Sequence, residues 1–232
     1  MKQHRIWELD ALRGIAILGV IVIHLLFDLR AFAGISIGTG PVLSAVQQYG
    51  GVIFVILSGV CVTLGSRSVK RGLVVFGCGL IITLVTVGMV HLGMAHRSIA
   101  IYFGVLHLLG TAMLLWPLFR KLPPWALAVI GAVLVGLGYW FSTVTVENPW
   151  LFPLGLTAKG FVSGDYFPLL PQLGWFLLGA FLGKTLYRRK TTLFPRFPAQ
   201  AAPIGALCWC GRHSLWIYLL HQPLLYGLTL LF

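Results

Sequence analysis

Apolar residues run along this chain in blocks about twenty long, separated by short polar or basic breaks, the pattern of helices sized to cross a bilayer. Seven blocks stand at roughly 12–30, 42–65, 72–92, 99–118, 124–142, 166–186 and 213–232. They predict an all-α fold, a polytopic integral membrane bundle of about seven transmembrane helices, in a single transmembrane domain over residues 1–232. The polar residues inside the blocks fall at helical spacing. At about 100° per residue, Asp10, Arg13, His24 and Asp28 lie at roughly 0°, 300°, 320° and 0°, so one face of the first helix carries all four. Ser214, Tyr218 and His221 form a second polar stripe in the last block, beside a Pro223 that removes a helix N–H. His107 sits in the fourth block with Thr111 one turn later. Ionisable groups at bilayer depth are expensive, so these positions are read as functional.

Charge sets the orientation. With the N-terminus in the cytoplasm, Lys2, Arg5, Arg13, Arg67, Lys70, Arg71, Arg120, Lys121, Lys184, Arg188, Arg189, Lys190, Arg196 and Arg212 fall inside, and only Arg30, Arg97 and Lys159 outside. That asymmetry predicts an N-in, C-out topology. The 232 residues are 58% hydrophobic and 9% charged, which excludes a water-soluble domain. The net charge of +12 fits loops facing anionic lipid, so the expected partner is the lipid bilayer and no nucleic acid is expected. Homo-oligomerisation is left open. The four cysteines lie in predicted helices or on the cytoplasmic side, where no disulfide is expected. Cys208-x-Cys210 lacks a second pair at metal-site spacing, so no metal is expected either. The N-terminus imitates a signal peptide ending at Ala31-Phe32-Ala33, but Asp28 and Arg30 intrude before that point and cleavage is not expected.

Between the blocks, 31–41 is rich in small residues, and 143–165 is the longest external connection. Its Trp150, Phe152 and Phe161, with Tyr166 and Phe167, suit either stacking on a sugar or the aromatic belt at the headgroups. Ser58-Gly59, Thr63 and Gly179-x-x-x-Gly183 read as helix-packing positions, and 184–212 as a basic cytoplasmic loop.

The chemistry available to these residues is proton and group transfer. An imidazole at His24 takes a proton from an attacking hydroxyl or amine, or itself accepts an acyl group. Asp28, one turn away, is placed to orient that ring, and His107 and His221 are candidates for the same cavity. Arg13 offers a fork suited to phosphate, with the plainer alternative that it pairs with Asp10 at the headgroups. Two rival readings remain open from the residues alone. Histidines on different helices suit axial ligation of a haem in a membrane redox protein, or a proton relay in a small-solute transporter.

Asp10-x-x-Arg13-Gly14 followed by His24 resembles the first helix of transmembrane acyltransferases, including the acyltransferase-3 proteins. Tyr102-Phe103-Gly104-Val105-Leu106-His107-Leu108-Leu109-Gly110, Asp165-Tyr166-Phe167-Pro168-Leu169-Leu170-Pro171 and Ser214-Leu215-Trp216-Ile217-Tyr218-Leu219-Leu220-His221-Gln222-Pro223 are similar to bacterial members of the heparan-alpha-glucosaminide N-acetyltransferase catalytic family. The four motifs occur in order across nearly the whole chain. The resemblance implies a multi-pass enzyme of a bacterial inner membrane that moves an acetyl group from cytoplasmic acetyl-CoA to a hydroxyl or amine of a saccharide-like acceptor on the far side. It implies catalytic roles for His24, Asp28, His107 and His221, and acyl-CoA binding by Arg13, Asp10, Ser214 and Tyr218.

Overall fold

The computed structural model describes residues 5–31, 40–197 and 201–229, and only the backbone at 31, 42–48 and 229. The small-residue segment at 31–41 therefore lies almost wholly outside the described residues. Among those described, eight α-helices form and no strand: α1 Trp7–Ala31, α2 Pro41–Leu64, α3 Ser68–His91, α4 Val105–Phe119, α5 Pro124–Phe141, α6 Leu169–Leu186, α7 Ala202–Arg212 and α8 Ser214–Thr229. Of these, α1, α3, α5 and α6 are long and apolar enough to cross a membrane, while Tyr49–Leu64 and α4 are shorter apolar helices. The chain divides into two compact units, Met1–Leu57 with Arg189–Phe232, and Ser58–Arg188.

In the first unit α1 packs against α7 and α8. Small residues let the backbones touch: a Cβ on Gly14 would strike the Leu207 carbonyl, and one on Gly211 the Asp10 carbonyl. The Cys208 thiol adds a bond to the Trp7 carbonyl at 3.4 Å. Helix α7 corrects the expectation of a basic loop through 184–212. The basic residues and prolines ahead of it masked an eleven-residue helix whose Gly211 and Cys208 lie against α1. Before it, buried Glu8 binds the chain at 192–193: its Oε2 accepts from the Thr192 hydroxyl and its Oε1 from the Leu193 N–H, both at 2.7 Å. Trp7 stacks on Phe197 with ring centroids 4.8 Å apart.

The second unit is held by helix pairs in close contact. Gly131 of α5 and Gly174 of α6 each lie against the other's carbonyl, and Gly138 against Pro171, so α5 and α6 touch along their length. The end of α2 meets α6 where Gly59 faces the Phe176 carbonyl and Gly183 faces Thr63, in keeping with packing roles for Ser58-Gly59, Thr63 and the α6 glycines. Lys184 donates to the Arg120 and Leu122 carbonyls at 2.7 Å each and so closes the C-terminus of α4. Its outward surface is apolar: on α3 the buried residues are Ser68, Gly72 and Gly79, whereas Leu84 is 74% exposed. Small residues inward and large apolar ones outward is the arrangement lipid favours, the reverse of a helix facing water.

The fourth block starts later than its hydropathy predicts. Residues 100–104 stay extended because side chains and neighbouring chain satisfy their backbone. The Ile101 N–H donates to Thr86 Oγ1 at 3.1 Å, the Thr83 hydroxyl donates to the Ile101 carbonyl at 2.7 Å, and Phe103 bridges to Tyr166. Irregular backbone at membrane depth is tolerated where protein supplies its partners.

Close approach of α1 and α7 gives a direct test. Gly211→Ala should lower the detergent melting temperature, costing about 1–3 kcal/mol through overpacking. Gly205→Ala, on the same helix with open space around its Cβ, should leave the melt unchanged or raise it through helix propensity, by about 1 kcal/mol at most. Equal melts for the two variants would contradict the packing described.

Candidate functional site

The first and last sequence motifs meet in the first unit, where α8 lies along α1. Three contacts follow one another in the same order on both helices, so the two run in the same sense. Arg13 Nη2 donates to Ser214 Oγ at 3.1 Å, across 201 residues of sequence, and Ser214 is buried. His24 and His221 meet edge to face, with ring centroids 4.8 Å apart and planes at 77°. Asp28, fully buried, receives the Gln222 side-chain N–H on both carboxylate oxygens at 3.2 Å.

The hydrogen bonds decide which nitrogens remain basic. A backbone carbonyl can only accept, so a ring nitrogen facing one must carry the proton. His24 Nδ1 faces the Val20 carbonyl at 2.9 Å, and His221 Nδ1 faces the Tyr218 carbonyl. Both rings are thereby set as the tautomer whose Nε2 holds a free lone pair. The His221 Nε2 is buried and has no hydrogen-bond partner among the described residues. Asp28 sits one turn from His24 as expected, but the group it holds is Gln222. Val20 supplies the orienting bond to His24. Tyr218 packs its ring 5.2 Å from that of His221.

Asp10 is ion-paired to Arg5 at 3.9 Å. Arg13 and Arg212 also lie within electrostatic reach of its carboxylate, so three guanidinium groups gather at this end of the unit beside Asp10. In place of the alternative Asp10–Arg13 pairing, the contacts formed are Arg5–Asp10 and Arg13–Ser214. Cys208, close by, is a poor nucleophile: burial, then the charge of Asp10, pushes its thiol up.

His107 belongs to the second unit, and both its nitrogens are occupied. Nδ1 accepts from the Gly104 N–H at 3.3 Å, closing the first turn of α4. The Thr83 hydroxyl gives its proton to the Ile101 carbonyl, so at 3.2 Å from His107 Nε2 it accepts from the ring. No lone pair remains for proton abstraction. The second and third motifs also meet here, since Asp165 Oδ2 caps the Val105 N–H at 3.0 Å and the Phe167 N–H donates to the Phe103 carbonyl at 2.9 Å. The aromatic residues of 143–165 pack chiefly on one another: Phe161 lies 5.4 Å from Phe152 and 5.0 Å from Tyr166. The Tyr166 hydroxyl donates to the Phe152 carbonyl at 2.6 Å, and burial pushes its pKa up to about 12. Trp150 stands apart, 80% exposed.

These contacts bear on the rival readings. Two imidazoles in direct edge-to-face contact leave no room for a porphyrin between them, and both nitrogens of His107 are engaged, so these three histidines do not form a bis-imidazole haem site. Sequence reasoning passed over Gln222 and Glu8. Gln222 adjoins His221 inside a motif, and that adjacency was the available signal. Glu8 lay outside the apolar blocks and gave none.

No curated protein and no solved structure matches the chain. Residues 5–223, spanning both units and all four motifs, match the heparan-alpha-glucosaminide N-acetyltransferase catalytic family. The chain belongs to that family and is a multi-pass membrane protein of acetyltransferase type.

Proposed function

We propose that this protein transfers an acetyl group from acetyl-CoA, bound from the cytoplasm, to a hydroxyl or amine of a saccharide-like acceptor on the other side of the membrane. The observation that carries this reading is the His24–His221 pair, two imidazoles in contact with Nδ1 protonated and Nε2 basic. Nε2 of His24 takes the proton of the attacking N–H or O–H as its nitrogen or oxygen bonds to the thioester carbonyl carbon. The C–S bond then breaks, and the imidazolium returns a proton to the departing CoA thiolate. His221, edge-on to His24, and the Asp28 carboxylate near it stabilise the charge that forms. His107 acts outside this step, tying α4 to α3.

The donor end is the arginine cluster. Arg13, fixed by Ser214, with Asp10 holding Arg5 and with Arg212 near, offers guanidinium forks to the phosphates of CoA. Tyr218, between Ser214 and His221 on α8 and with its ring 5.2 Å from that of His221, is assigned to the same donor path. Arg13 and His24 are roughly 16 Å apart along α1, a span suited to a pantetheine arm. The two units act as one transmembrane domain, a reading supported by a single family match across both. Seven spans with N-in, C-out topology agree with the basic residues of the loops and with the common sense of α1 and α8. The enzyme then resides in a bacterial inner membrane.

Two variants test the catalytic assignment. His24→Ala should lower acetyl transfer by about a hundredfold to ten-thousandfold while acetyl-CoA affinity and melting stay near normal. His107→Ala should instead lower the melt and leave turnover of the folded fraction largely intact. Near-normal turnover of purified His24→Ala would overturn the assignment.

Arg13→Gln should weaken acetyl-CoA binding about tenfold or more by removing a charge-assisted fork, measured by calorimetry in detergent. Unchanged affinity in a folded variant would return Arg13 to a structural role. A periplasmic reporter fused after Phe232 should be active, and a cytoplasmic reporter there silent. The opposite pattern would mean an even number of spans.

A further inference from the structure

We infer that the turn at 192–197, backed by Trp7, is the pocket for the adenosine end of the acetyl-CoA donor, with Phe194 and Phe197 stacking on the base and Arg196 pairing with the 3′-phosphate of its ribose. This rests on the acetyltransferase reading above and extends the donor site beyond the arginine cluster. That reading sets the CoA diphosphate at Arg13 and the thioester at His24, so the nucleoside lies on the far side of Arg13 from His24. Trp7 stands there, near the start of α1 and about 9 Å before Arg13 along the helix, a span that a nucleoside bridges.

Hydrogen bonds fix this turn against α1. The buried Glu8 carboxylate takes the Thr192 hydroxyl and the Leu193 N–H, Thr192 Oγ1 takes the Phe194 N–H at 3.1 Å, and the Phe197 N–H donates to the Phe194 carbonyl at 3.2 Å. The two rings held in this way stay open, Phe194 at 57% and Phe197 at 48% exposed. With Leu193, Pro195 and Arg196 they line a cavity of about 490 Å³, ample for a purine. Trp7 joins the same group, its ring stacked on Phe197 at 4.8 Å and 9° and standing 6.4 Å from Phe194. The Trp7 Nε1–H is buried and has no hydrogen-bond partner among the described residues. Buried donors are normally paired, and adenine brings ring nitrogens that accept in the plane of a stacked base, whereas a lipid tail brings none. Flat aromatic rings beside a guanidinium, next to the cluster of Arg5, Arg13 and Arg212, match a base that carries phosphates.

The test is calorimetry on the full-length protein in detergent with three probes: CoA, dephospho-CoA, which lacks only the 3′-phosphate, and 4′-phosphopantetheine, which lacks the nucleoside. The wild type should bind CoA about tenfold or more tightly than 4′-phosphopantetheine. Phe194→Ala, at an exposed position, should weaken CoA and dephospho-CoA about tenfold and leave 4′-phosphopantetheine unchanged. Trp7→Phe, which keeps a ring and removes the N–H, should weaken the same two probes about threefold or more. Arg196→Gln should weaken CoA about tenfold and leave dephospho-CoA unchanged, which tests the pocket independently of any folding defect in the aromatic variants. Equal affinity of the wild type for CoA and 4′-phosphopantetheine, or the same loss on all three probes in Phe194→Ala and Arg196→Gln, would overturn the pocket and leave the donor reading standing. A wild type that binds none of the three would overturn the acetyltransferase reading, and this inference with it.

Discussion

A polar group taken into hydrocarbon has no water to turn to, and this constraint reaches nearly every feature of the molecule. At the two ends of α4, where water is near, the ammonium of Lys184 donates to the Arg120 and Leu122 carbonyls and Asp165 caps the Val105 N–H. The lipid constraint explains why residues 100–104 can remain extended where the hydropathy alone implies helix, since Thr83 and Thr86 serve the Ile101 backbone. Left unpaired in lipid, those Ile101 groups would cost several kcal/mol. The same rule separates two kinds of histidine: His107 is saturated by a backbone donor and a hydroxyl, whereas His24 and His221 each use one nitrogen on a helix carbonyl and keep the other basic.

The second constraint is that lipid is as apolar as leucine, so burying leucine between helices gains little. The close contacts accordingly run through glycine. Gly14 and Gly211 join α1 to α7, Gly131 and Gly174 join α5 to α6, and Gly59 and Gly183 join the end of α2 to α6. Large apolar side chains such as Leu84 face outward. Close backbone packing of this kind also fixes register, and in the first unit it holds α1, along which Arg13, His24 and Asp28 meet Ser214, His221 and Gln222. Preorganised polar groups in a dry environment act strongly on developing charge, which is the physical basis for placing the chemistry on this helix pair.

Much of the fold was legible because hydropathy and helix period are local properties. The blocks at 42–65, 72–92, 124–142 and 166–186 correspond closely to α2, α3, α5 and α6. The four motifs, in order, led to the family. Periodicity also placed His24 and Asp28 on one face of α1 and Ser214, Tyr218 and His221 on α8. Helix α7 was missed because eleven residues fall short of a bilayer span and follow a basic, proline-containing stretch, and its close contact is with α1.

The sequence by itself thus determined that this is an apolar helical chain with two polar stripes, since spacing along one helix follows from its period. Only the tertiary structure decided which stripe residues meet. Arg13 with Ser214 and Asp28 with Gln222 join positions 201 and 194 residues apart, and nothing in a local window carries that information. The tautomers of His24, His221 and His107 were likewise beyond the sequence, because the proton on an imidazole follows the partner facing each nitrogen, and folding chooses that partner.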